Sequence, residues 1–175
     1  MRKLLGCALV LLAVAAMPAQ AQVSFGVGGG LLMPMGDYGD VDKMGFIGGV
    51  GVLFPIGTAP VSVRLEGTYS QTSHDGIDGN TKIIGGMASL VYLFSAGGSV
   101  TPYVLAGVGY YNGKVTVPSL NIDESDSKVG FGGGGGIRFP MGSAALFAEV
   151  RYMNISTDPS TTYLPIIVGV SFGGK

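Results

Sequence analysis

Hydrophobic and polar positions alternate with a period of two along most of the chain, and the alternation breaks at stretches rich in Gly, Pro, Asp and Ser. Successive side chains of a strand point to opposite faces, so each alternating stretch predicts a strand with one apolar face. Eight such stretches are present: Val23–Met33, Gly45–Phe54, Val61–Thr72, Thr81–Phe94, Pro102–Gly113, Lys128–Phe139, Ala144–Met153 and Tyr163–Phe172. The third is cleanest, with Val61, Val63, Leu65, Gly67 and Tyr69 opposed by Ser62, Arg64, Glu66, Thr68 and Ser70. The last puts Leu164, Ile166, Val168, Val170 and Phe172 on one face. In the sixth, Val129, Phe131, Ile137 and Phe139 oppose Lys128, four glycines and Arg138. The fourth is least regular, since Ile83, Met87, Val91 and Leu93 make its second face apolar as well.

The connections alternate in length. Pro55–Pro60, Ser95–Thr101 and Pro140–Ser143 are short, whereas Pro34–Met44, Ser73–Asn80, Asn112–Ser127 and Asn154–Thr162 are longer and polar. Short turns at one end, long loops at the other and an apolar face opposed by polar or tiny residues predict an eight-stranded antiparallel up-and-down transmembrane β-barrel. Inward glycine has a steric reason, because eight strands enclose a narrow lumen filled by side chains. Aromatics sort by end, with Phe54, Phe94, Tyr103, Phe139 and Phe172 near the short turns and Tyr69, Tyr110, Tyr111, Tyr152 and Tyr163 near the long loops. They are expected to form two interfacial girdles.

The N-terminus changes the picture of where this barrel resides. Arg2 and Lys3 precede an apolar run, Leu4–Ala16, and Ala19-Gln20-Ala21 offers a small-x-small cleavage site. Residues 1–21 therefore read as a secretory signal peptide and 22–175 as one barrel domain. The apolar run is too short for a membrane-spanning helix. Leu4-Leu5-Gly6-Cys7 has the local look of a lipoprotein box, but it precedes most of the apolar run, which argues against lipidation. Cleavage removes Cys7, the only cysteine, so the mature chain forms no internal disulfide. A formal net charge of -1 argues against an electrostatic nucleic-acid binder.

Three segments carry a family resemblance: Ala148–Tyr152 (AEVRY), Pro102–Tyr111 (PYVLAGVGYY) and the final alternating strand. With them the chain resembles, over Gln22–Lys175, the small eight-stranded outer-membrane β-barrels that include the OmpA-like and the attachment/invasion (Ail-like) barrels. The resemblance implies an integral outer-membrane protein with periplasmic termini and four surface loops, inserted by the barrel-assembly machinery and expected to be a monomer. It further implies a role in envelope integrity or adhesion. Since some such barrels are lipid A-modifying enzymes, the expectation of no enzymatic activity rests on this chain's own residues. Two departures stand out. Gly173-Gly174-Lys175 follows Phe172, where family chains end on the aromatic. Pro165 interrupts the last strand, and a bulge is the expected remedy.

Candidate functional residues fall into four groups. Phe54-Pro55-Ile56-Gly57-Thr58-Ala59 resembles Phe139-Pro140-Met141-Gly142-Ser143-Ala144, and in that frame Arg64 falls on Glu149 and Glu66 on Arg151. These four, with Arg138, are expected to form an ionic network plugging the lumen, because buried charges are tolerable only when paired. Nine acids, Asp37, Asp40, Asp42, Asp75, Asp78, Asp123, Glu124, Asp126 and Asp158, lie in the long loops without the spacing of a calcium loop. Lys43, Lys82, Lys114 and Lys128 sit at loop-side strand ends, where they could meet lipopolysaccharide phosphates. Ser73-His74-Asp75 holds the residue types of a hydrolase triad, but consecutive residues converge poorly and there is no second histidine. Gly132–Gly136 lacks the Lys-Ser/Thr of a phosphate loop, so no cofactor or metal is expected. The reading is a structural or surface-interaction protein that meets lipopolysaccharide, the envelope or a host surface. A small porin-like channel, a lipid A-modifying enzyme and a soluble periplasmic lipid carrier are the alternatives.

Overall fold

The computed structural model describes residues 23–76, 78–94, 99–118, 122–158 and 160–173. The expected leader, part of the Ser95–Thr101 turn and the final Gly174-Lys175 lie outside these residues. The strands are β1 (Ser24–Met35), β2 (Gly45–Pro55), β3 (Val61–Ser73), β4 (Asn80–Leu93), β5 (Thr101–Val117), β6 (Ile122–Met141), β7 (Ala144–Ile155) and β8 (Thr161–Phe172). Each pairs antiparallel with the next, and β1 pairs with β8 from Phe25↔Phe172 to Met35↔Thr162, closing the barrel. Closure leaves no sheet edge, which is the condition for strands to cross lipid with their backbone groups satisfied.

The alternating pattern maps onto two surfaces. Phe25, Val27, Val50, Ile84, Leu90, Val108, Val129, Phe131 and Val168 are all more than half exposed on the outside. Large apolar side chains held outward around a closed sheet are the inverse of a soluble fold and fit a hydrocarbon environment. No helix among the described residues is long and apolar enough to span a membrane, so any crossing is by strands. The irregular second face of β4 has a role: Ile83, Met87 and Val91 point inward and are buried. With Leu32, Ile47, Tyr111, Met153, Tyr163 and Ile167 they fill the lumen with apolar side chains.

Three expectations need correction. Asn112–Ser127 is not mainly a loop, because β5 and β6 stay in register from Asn112↔Ser127 out to Val117↔Ile122, forming a hairpin longer than its alternation suggested. Pro165 does not create a bulge. Pairing of β7 with β8 lapses between Val150↔Ile166 and Met153↔Tyr163 and then resumes in the same register, so the missing N–H is absorbed as a gap. The girdles are also smaller than expected. Tyr69, Tyr110, Tyr152, Phe94, Phe139 and Phe172 are exposed, whereas Tyr103, Tyr111 and Tyr163 point into the lumen and Phe54 is buried. Tyr110 and Tyr111 are adjacent on one strand, so only one can face outward: Tyr110 is 60% exposed and Tyr111 3%.

Inward glycines make room for these inward rings. A Cβ on Gly85 would lie 2.2 Å from the Tyr111 ring, and one on Gly136 would lie 2.6 Å from the ring of Tyr103. At other points the barrel wall itself is the obstacle: a Cβ on Gly134 would come within 2.2 Å of the Val150 carbonyl oxygen. We expect Gly134→Ala to destabilise the barrel by about 1–3 kcal/mol, the usual range for overpacking. Gly113→Ala, where a Cβ meets nothing within 4 Å, should be neutral. The urea midpoint for loss of the heat-modifiable folded band on gels reads both, and equal midpoints for the two variants would refute the packing argument.

Candidate functional site

The lumen carries charge on opposite walls. Arg64 and Glu66 project inward from β3, and Glu149 and Arg151 project inward from β7, four strands away around an eight-stranded ring. Arg64 Nη1 donates to Glu149 Oε2 at 2.8 Å and its Nη2 to Oε1 at 3.3 Å. Arg151 Nη2 donates to Glu66 Oε2 at 2.9 Å, and the same guanidinium also binds Glu66 Oε1 and Glu149 Oε1. Within β3, Arg64 Nε lies 3.2 Å from Glu66 Oε2. The Glu149 side chain is fully buried, and the Tyr103 hydroxyl donates a third partner to it at 2.8 Å.

Both cross-barrel pairs join residues separated by 85 positions, the same offset that relates Phe54-Pro55 to Phe139-Pro140. Each charge therefore meets its own counterpart in the internal repeat. Had both copies kept the order Arg-Glu, like charges would face each other across a narrow lumen, a costly arrangement in low dielectric. The reversed order in β7 resolves this. Arg138 does not join the network. Its counterpart in the same frame is Leu53 (138 − 53 = 85), which offers no charge, and Arg138 has no ion pair among the described residues. Its Nε is buried without a hydrogen-bond partner. Arg138 instead lines a cavity of about 110 Å³ on the turn side, together with Arg64, Tyr103, Leu53, Leu93 and Phe147.

The loop end is closed by a different device. A short helix, α1 (Asp37–Val41), follows β1 and carries Tyr38 down onto the lumen mouth. There the Tyr38 hydroxyl meets Thr72 Oγ1 at 2.8 Å, and its ring stands edge-on to Tyr163. Burial raises the Tyr38 phenol above the ordinary tyrosine range. The segment after α1 is laced to the β3–β4 loop by Lys43 N–H to the Ser73 carbonyl and Asp75 N–H to the Val41 carbonyl. Lys43 also pairs with Asp75 at 2.8 Å, and that hydrogen bond holds the Asp75 carboxyl below its usual range.

His74 lies inside this closure. Thr81 Oγ1 donates to Asp42 Oδ2 at 2.7 Å, so its one proton is committed, and His74 Nε2 donates to Thr81 at 3.2 Å. Asp42 Oδ1 is left 3.5 Å from the same nitrogen. A hydrolytic triad needs its hydroxyl and its acid on different ring nitrogens. Here both face Nε2, and Ser73-His74-Asp75 does not converge. Asp42, Thr81, Tyr38 and Thr72 were invisible as a group in the sequence, because they come together from three separate segments. The inward face of Tyr103 is legible in its parity with Gly107 and Gly109, a stronger signal than its position near the short turns.

The four lysines separate. Lys43 pairs with Asp75 and Lys128 with Asp126 at 3.0 Å. Lys82 and Lys114 stand directly opposite each other across β4 and β5, on the outward face beyond Tyr110. Among the described residues, no group of three or more His, Cys, Asp or Glu is placed to hold a metal ion.

The family model for the outer membrane protein beta-barrel domain matches residues 7–172. The chain belongs to this family. No curated protein matches the chain. Among solved outer-membrane barrels, Neisserial surface protein A is similar with a TM-score of 0.69 at 17% identity, covering 86% of this chain and 96% of that one. The Ail protein of Yersinia pestis, solved with the heparin analogue sucrose octasulfate, gives 0.57 at 19% identity, covering 88% and 99%. The outer membrane enzyme PagL gives 0.53 at 18% identity, covering 87% and 99%. These likenesses are likenesses of fold.

The swapped charge order makes a specific prediction. Arg64→Glu should destabilise the barrel by about 3–5 kcal/mol, the range for breaking a buried pair. Arg64→Glu combined with Glu149→Arg should recover most of that loss. Urea titration of gel mobility measures both, and a double variant no more stable than the single would exclude the cross-barrel pair as the cause.

Proposed function

We propose that this chain is an integral outer-membrane protein, exported by its cleaved leader and inserted by the barrel-assembly machinery. It acts as a monomer in envelope integrity or surface contact rather than as a channel or an enzyme. The observation that carries this reading is a doubly closed lumen inside a barrel with an apolar outer surface. Arg64, Glu66, Glu149, Arg151 and Tyr103 block one level, and Leu32, Met87, Tyr111, Met153 and Tyr163 pack another. A porin-like path would need a continuous polar lumen. A soluble lipid carrier would turn its apolar face inward. An enzyme neighbour exists among the similar folds, but the geometry at His74 supports a structural latch in this chain. In planar bilayers the protein should show no steady conductance. A stable open channel whose conductance changes in Glu66→Ala would overturn the closed-lumen reading.

Contact with the outside falls to the loop end. The outer mouth carries Asp37, Asp40, Asp42 and Asp75, a charge opposite to what a polyanion such as the sulfated sugar bound to Ail would require. Lipopolysaccharide is met from the side, through Lys82 and Lys114. Two ammonium groups on the outward face at the headgroup level offer a lipid phosphate point-charge contacts. Replacing both by glutamine should lower the amount of lipopolysaccharide that co-purifies with the folded barrel. Retention equal to the native protein would count against this role.

A further inference from the structure

The lumen's charges do not balance. Three arginines, Arg64, Arg138 and Arg151, face two glutamates, Glu66 and Glu149, and the surplus falls on Arg138. Ser24 at the start of β1, Leu53 at the end of β2, Leu93 at the end of β4 and Ser171 near the end of β8 line the same cavity as Arg138. All lie at the short-turn end, away from the loops and α1. The rest of the wall is mainly apolar or glycine, with Thr68, Tyr103 and the mutually paired Arg64, Glu66 and Arg151 at its inner end. The cavity of about 110 Å³ has room for several waters or a short hydrocarbon tail. Arg138 is half-buried, but its Nε is shut off from solvent without an acceptor. A buried donor left unsatisfied is unfavourable, and a bidentate carboxylate is the guanidinium's best complement.

We infer that this turn-side cavity binds a short-chain monocarboxylate, with the carboxylate on Arg138 and the tail against Leu53, Leu93 and Phe147. A small hard anion such as phosphate satisfies the guanidinium but gains nothing from the apolar Leu53, Leu93 and Phe147 and loses hydration against them. An alkylammonium of the same length matches the walls but meets the wrong charge. The cavity is thus selective for charge and tail together. This site lies at the opposite end of the barrel from the surface loops, so it stands or falls independently of the surface-contact role.

The repeat provides a built-in competitor. Since Arg64 reaches Glu149 at an offset of 85 and Leu53 is the counterpart of Arg138 at that offset, Leu53→Glu should supply Arg138 with the partner it lacks. The experiment is a titration of the full mature chain in lipid nanodiscs with hexanoate, hexylammonium and inorganic phosphate, followed by NMR shifts at Leu53, Leu93 and Arg138. Hexanoate should give saturable shifts, with phosphate weaker by about tenfold or more and hexylammonium without effect. Arg138→Gln should weaken hexanoate by about tenfold or more, and Leu53→Glu should abolish its shifts while the folded band persists on gels. Shifts that persist unchanged in either variant would overturn the assignment. Equal shifts from hexylammonium would show mere partitioning, and equal shifts from phosphate a bare anion site; either result would also overturn it.

Discussion

Everything inside this barrel follows from how little room eight strands enclose. The lumen holds roughly one layer of interdigitating side chains, so every large inward group needs a void opposite it. Tyr111 occupies space that side chains on Gly85, Gly109 and Gly130 would fill, and Phe147 does the same against Gly28 and Gly169. The long glycine run of β6 belongs to this constraint: Gly132 gives way to Met153, Gly134 to the β7 backbone and Gly136 to Tyr103. Glycine here is a packing residue, chosen by what stands across the lumen.

The same narrowness turns the ionic network into a consequence of repeat symmetry. Opposite walls are close enough for side chains four strands apart to touch, so the inward residues of β3 and β7 meet their own counterparts. Identical copies would place arginine on arginine. Reversal of the charge order in one copy converts that conflict into paired, hydrogen-bonded charges, with Tyr103 completing the shell of Glu149. Arg138 shows the rule by exception, because its counterpart Leu53 carries nothing to pair with. The two ends of the barrel thereby differ in chemistry. The loop end is sealed by α1 and latched by hydrogen bonds, whereas the turn end keeps a small cavity with an uncommitted cation.

Much of this is legible in the sequence. Leu164, Ile166, Val168, Val170 and Phe172 share the outward face as their spacing implied, and Arg64, Glu66, Glu149 and Arg151 all point inward. Loop lengths separated the two ends. Other features were not legible, each for a reason. Asn112–Ser127 reads as a polar loop because a hairpin standing clear of lipid needs no apolar face. Asp42, His74 and Thr81 carry no spacing signal because their contact depends on how α1 folds over the mouth. The lysines looked equivalent until pairing assigned Lys43 and Lys128 to nearby acids and set Lys82 against Lys114.

The sequence by itself determined the strand number, the antiparallel order, the lipid-facing surface and the four inward charges of β3 and β7. These depend on a period of two and on chain distance, which are local properties. Tertiary structure alone decided which of two neighbouring aromatics turns inward, which acid completes which arginine, and that Pro165 leaves a gap rather than a bulge. It also decided that Arg138, beside a cavity, has no ion pair among the described residues. Those outcomes depend on the stagger of strands around the closed barrel and on contacts across its lumen, where residues far apart in the chain compete for the same small volume.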